Sequence, residues 1–104
     1  IKIKGGIRKV LAEEIVMIES FNHHSELTLS DGQSLKTPTT LGQLEDVLKT
    51  YKEFCFPHRS YIVNLDYVKG IQNSCFLLPD RVVPIAKSLY RKVKEYYLHH
   101  CFEQ

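Results

Sequence analysis

Residues 26–30 alternate polar and apolar, with Leu27 and Leu29 set between Glu26, Thr28 and Ser30, and run directly into Asp31-Gly32. A period of two puts both leucines on one face of a strand. The Asp-Gly pair supplies the positive φ that a tight turn demands, so the chain folds back here, with Leu35 on the return strand. An isolated hairpin is marginal in water, so further strands are needed to cover it. Val16-Met17-Ile18 lies upstream within Ile15–Phe21, and Ser60-Tyr61-Ile62-Val63-Asn64-Leu65 downstream is β-branched and aromatic, as suits a buried strand. Tyr67–Ile71, Cys75–Leu78 and Arg81–Ile85 read as further short strands, the last two joined by a turn at Pro79-Asp80. Gly5-Gly6 marks another turn.

Two segments carry a helical period instead. Leu41, Leu44, Val47, Leu48 and Tyr51 recur at helical spacing for about three turns, and Thr40 with Gln43 forms a capping box just after the strand-breaking Pro38. From Ser88, the residues Leu89, Val93 and Tyr96 or Tyr97 give a second helical pattern that ends near His99. The expected fold class is mostly β with one internal and one C-terminal helix.

At 104 residues and 43% hydrophobic, with no repeat or linker, residues 1–104 are expected to form a single domain. The apolar runs are too short to span a bilayer, and the start lacks the apolar core of a signal peptide. The chain does not begin with Met, and a fragment of a longer protein is expected. Cys55, Cys75 and Cys101 are an odd set without framework spacing, which fits free thiols in a reducing cytoplasm.

Enzymatic and metal chemistry find little support. Phe54 and Phe56 flank Cys55, an apolar setting that raises a thiol pKa, and there is no nucleophile elbow or phosphate-cradling glycine loop. Cys55 and His58 have Cys-x2-His spacing, His23 and His24 are adjacent and His99-His100-Cys101 lies near the end, but a structural zinc site wants four ligands, usually as two close pairs. We expect no enzyme, no cofactor, no metal and no small-molecule substrate.

The net charge of +2 does not announce a nucleic-acid partner, but its distribution is uneven. Arg81, Lys87, Arg91, Lys92 and Lys94 occur with no acid between 81 and 94, which is a local basic surface or a solvated helix face. Polar clusters sit at predicted strand ends: Asn22-His23-His24-Ser25, then His58-Arg59-Ser60 with Asn64 further along, then Lys87-Ser88 with Arg91 a helical turn later. Arg and Asn side chains can pair bidentately with base edges, and His, Ser and Lys can serve bases or phosphates. The plain alternative has these loops polar because they are wet, with Asn64 bonded to its own turn.

The run Phe54-Cys55-Phe56-Pro57-His58-Arg59-Ser60-Tyr61-Ile62-Val63-Asn64-Leu65-Asp66-Tyr67-Val68 closely resembles the signature of the LytTR-type DNA-binding domain. Ile18-Glu19-Ser20 resembles that family's first core strand, Leu41 to Leu48 its helix, and Val83-Pro84-Ile85-Ala86-Lys87 its closing strand, in one register from about 3 to 95. The resemblance implies small antiparallel sheets and an output domain of bacterial response regulators that reads DNA with loops in successive major grooves. It places His23 and His24 in a first contact loop, Arg59 in a second with Ser60 and Asn64 in support, and Lys87, Ser88 and Arg91 in a third. Asn64 is equally readable as structural. Phe56 stands where the family often has Arg, Ala86 where Ser is usual and Lys87 where Arg is common, so the third loop offers a point charge in place of a rigid fork.

What the resemblance implies is therefore a DNA-binding domain of a transcription regulator, acting on paired direct repeats of double-stranded DNA as a homodimer of the full-length protein. An N-terminal receiver or membrane segment would supply regulation. The rival expectations are a protein-interaction module, using sheet edges or Tyr90, Tyr96 and Tyr97, and a domain of this fold that has lost DNA binding.

Overall fold

The computed structural model describes residues 1–3 and 5–102. Its organising element is an antiparallel five-stranded sheet with spatial order β5-β4-β3-β7-β6. These strands are β3 (Ile15–Ser20), β4 (Ser25–Leu29), β5 (Ser34–Thr37), β6 (Phe54–His58) and β7 (Tyr61–Asn64). A short hairpin, β1 (Lys2–Ile3) with β2 (Gly6–Ile7), precedes it. A three-stranded antiparallel sheet follows, built from β8 (Gly70–Gln72), β9 (Cys75–Leu77) and β10 (Val82–Pro84). The helices are α1 (Leu41–Leu48) and α2 (Tyr90–Phe102). The fold class is mostly β with an internal and a C-terminal helix, as the sequence predicts.

The Asp31-Gly32 hairpin forms between β4 and β5, with Gly32 at φ +91° and the Asp31 carboxylate accepting from the Gln33 amide at 2.9 Å. The capping box of α1 is also present. Thr40 Oγ1 accepts from the Gln43 amide at 3.2 Å, and Gln43 Oε1 accepts from the Thr40 amide at 3.0 Å. The helix is shorter than its apolar period suggests. It ends at Leu48, and its buried stripe is Leu41, Leu44 and Leu48, while Val47 on the flank stays 65% exposed.

The large sheet is covered on both faces, which explains why Ile15–Ile18 is apolar without alternation. On one face Ile18, Leu27, Leu29, Phe54 and Ile62 pack beneath α1. On the other, Met17, Cys55 and Val63 meet Phe76, Leu78, Val83 and Ile85 of the smaller sheet's region and Val93 of α2. A register shift between Ile15 and Met17 lets the consecutive Val16 and Met17 join the same cluster.

One predicted strand is corrected. Tyr67 lies in a 3-10 turn, Leu65–Tyr67, and Val68 is extended but stands outside the ladder. Asn64 Oδ1 accepts from the Asp66 amide at 2.9 Å, and this side-chain bond draws the backbone out of the sheet. The ladder resumes at Gly70. The β8–β9 hairpin then turns at Asn73 and Ser74, with φ of 54° and 61°. Such a turn needs left-handed backbone at both central residues, and no glycine marks it in the sequence.

Candidate nucleic-acid interface

β3 and β7 run side by side, so the β3–β4 and β6–β7 connections emerge at the same end of the large sheet. The Ser20 amide donates to the Ser60 carbonyl at 2.8 Å and fastens the two connections together. A third segment arrives from β10, where the Ala86 amide donates to the Pro57 carbonyl at 2.8 Å. Residues Lys87–Leu89 form a 3-10 turn from there into α2. These bonds bring the first two polar clusters and the start of the third to one end, except for one member.

That member is Asn64. It lies at the far end of β7, 1% exposed, with Nδ2 donating to the Ile15 carbonyl at 2.9 Å and Oδ1 accepting from Asp66. Its amide is used up inside the fold, so the assignment of Asn64 to the contact surface is withdrawn.

In the first connection the Phe21 amide donates to the His24 carbonyl at 2.8 Å, and the two rings stack with centroids 5.0 Å apart and planes 8° from parallel. His24 Nε2 lies 2.9 Å from Glu26 Oε2. This hydrogen bond is the main reason the Glu26 carboxyl sits below its ordinary pKa, against a smaller opposing effect of burial. His24 is thus committed on its face and at its edge, whereas His23 is exposed and has no side-chain partner among the described residues.

The second connection is tight because His58 pairs directly with Tyr61, leaving Arg59 and Ser60 as the turn. His58 Nδ1 accepts from the Ser60 amide at 3.1 Å, and its ring meets the Tyr61 ring edge-on at 5.5 Å. Arg59 stands at the tip, exposed and without a side-chain partner among the described residues. In the third segment Lys87 and Ser88 are exposed, and Arg91 points along α2, 94% exposed, with Nε 3.7 Å from Glu95. Two unpaired cations and an imidazole at one end suit the phosphates and base edges of a duplex.

Sequence reasoning missed the groups that hold this end in shape. Glu19, paired across the ladder with Tyr61, accepts from the Tyr61 hydroxyl at 3.2 Å and from Arg81 Nη1 at 3.1 Å. Burial, followed by the nearby Glu19 carboxylate, raises the Tyr61 phenol and keeps it a neutral donor. Only the strand register brings these residues together, so no local spacing could have revealed them. Two of the tyrosines expected to serve a protein partner also have partners within the fold. Tyr97 packs edge-on against Phe76, and the Tyr96 hydroxyl donates to the Lys52 carbonyl at 2.6 Å. Among the described residues, no cluster of three or more His, Cys, Asp or Glu could hold a metal, and no helix is long and apolar enough to cross a membrane.

The sequence profile of the LytTr DNA-binding domain matches residues 5–97, and the chain belongs to this family, which is one of DNA-binding domains and not of enzymes. A similar solved structure is the LytTr DNA-binding domain of a protein described as a methyl-accepting/DNA response regulator from Bacillus cereus. It superposes with a TM-score of 0.70 at 25% identity, over 93% of this chain and 92% of that one. No curated protein matches the chain.

Proposed function

We propose that the domain binds double-stranded DNA in a sequence-specific manner, with the three fastened connections entering the major groove, as the output domain of a bacterial transcription regulator. The observation that carries this reading is Arg59, an unpaired guanidinium on a turn tied by the Ser20–Ser60 bond to a second polar loop. A guanidinium fork matches the two acceptors on the major-groove edge of guanine. His23 rather than His24 serves the first loop, since His24 is held by Phe21 and Glu26. Lys87, Ser88 and Arg91 grip phosphates, and Ser60 contributes through the backbone bonds that shape the turn. The full-length protein binds paired direct repeats as a homodimer, under the control of an N-terminal receiver or membrane segment.

Selection from a random duplex pool at two salt concentrations tests this. An enriched repeated motif is expected, with log affinity falling against log salt at a slope of about −4 to −5 for about five phosphate contacts. The competing reading, a protein-interaction module, draws on a cleft of about 630 Å3 between α1, β6 and α2, lined by Phe54, Phe56, Val93 and Tyr96. It requires salt-insensitive association and no enrichment of any duplex.

A further inference from the structure

We propose that Arg81 screens the Glu19 carboxylate so that phosphates can approach the end of the sheet where Arg59 stands. The inference rests on the DNA-binding reading of that end. Glu19 is the penultimate residue of β3 and pairs with Tyr61, and the next residue, Ser20, bonds to the Ser60 carbonyl, so Glu19 lies one residue from the turn that carries Arg59. Charges act on one another over about 8 Å at physiological ionic strength, so a phosphate docked on this turn would feel an uncovered carboxylate beside it. Glu19 is also only 24% exposed at its side chain, so water and salt screen it poorly.

Each carboxylate oxygen of Glu19 has a donor, Tyr61 on Oε2 and Arg81 on Oε1. Only Arg81 brings a positive charge. It reaches across from the segment between β9 and β10, which belongs to the smaller sheet, and lies with its guanidinium carbon 5.8 Å from the centroid of the Tyr61 ring. The carboxylate and the face of the Tyr61 ring hold the guanidinium from two sides, with the Arg81 side chain still 41% exposed. Beside it, Glu26, the ladder partner of Glu19 on β4, has its own side-chain partner in His24 at 2.9 Å. Arg81 is a positioning residue for charge: it acts on DNA through Glu19, without touching the duplex.

This separates Arg81 from two simpler roles. A phosphate ligand would lose the same affinity whatever stands at position 19. A mere brace between the sheets would lower stability, with binding falling only as folded protein is lost. A screen makes the cost of the Glu19 charge depend on Arg81.

The test is duplex binding at low salt by wild type, Glu19→Gln, Arg81→Gln, Arg81→Lys and the double variant Glu19→Gln/Arg81→Gln, each with its unfolding midpoint. We expect Arg81→Gln to bind about three- to tenfold more weakly, as a nearby uncovered unit charge implies. Adding Glu19→Gln should restore binding to within about twofold of wild type, and Arg81→Lys should retain it. Glu19→Gln alone should strengthen binding by less than about twofold. Equal weakening by Arg81→Gln in both backgrounds would make Arg81 a phosphate ligand and overturn the proposal. Losses that track the unfolding midpoint would reduce it to a brace. If wild type binds no duplex at all, the DNA-binding reading fails first and visibly, and this inference falls with it.

Discussion

The Ser20 amide donates to the Ser60 carbonyl at 2.8 Å, joining two loops that are far apart in sequence. Because each loop also closes on itself, through Phe21–His24 in one and His58–Ser60 in the other, the bond makes them one surface. The proposed function depends on that surface being preformed, since ordering loose loops on binding would cost affinity.

Asn64 should matter for stability and not for DNA. Asn64→Ala leaves the Ile15 carbonyl and the Asp66 amide without their side-chain partner, and a buried unsatisfied group costs about 1–3 kcal/mol. Urea unfolding should show a loss of that size, while the folded variant selects the same duplex motif as wild type. A changed motif with unchanged stability would return Asn64 to the interface.

The two histidines should part company. His23→Ala should weaken duplex binding and leave the unfolding free energy within about 0.5 kcal/mol of wild type, as surface changes usually do. His24→Ala removes the ring stacked on Phe21 and the partner of Glu26, so it should lower the midpoint as well. Paired measurements of affinity and unfolding distinguish them.

Glu26 predicts an acid-side loss of stability. Its folded-state pKa lies below the ordinary 4.5, mainly through the His24 hydrogen bond. A carboxyl depressed in the folded state adds stability that is fully present above its unfolded value and is lost as pH falls through the lower folded value. Unfolding free energy should therefore decline below about pH 4.5 in wild type and decline less steeply in Glu26→Gln.

Cys55 should be inert while the fold is intact. Burial pushes its thiol up to about 12, so almost no thiolate is present near neutral pH. Cys101 is exposed and should alkylate first, with Cys55 reacting only in denaturant. Mass spectrometry of the alkylated peptides reads the order directly.

What could be read from the sequence was whatever local rules decide. Gly32 at positive φ and the Thr40–Gln43 box are each settled within four residues, and both are where the spacing puts them. The 3-10 turn after Asn64 was not readable, because it depends on which group the Asn64 amide bonds. The Asn73-Ser74 turn was hidden because both residues adopt a left-handed conformation that glycine usually signals. At the candidate interface, Arg59 was legible as part of a family signature. The Glu19–Tyr61–Arg81 contacts required the register of β3 against β7, which sequence spacing does not contain, whereas Asn64 bonded to its own turn was one of the two readings the sequence left open.

The central claim is that Arg59 reads a base from the tip of its turn. Duplex selection with wild type and Arg59→Ala side by side tests it most directly. The account predicts a loss of about 1–3 kcal/mol on the wild-type site, with specificity relaxed at one position of the motif and kept at the others. An unchanged motif in the Arg59→Ala protein would contradict it.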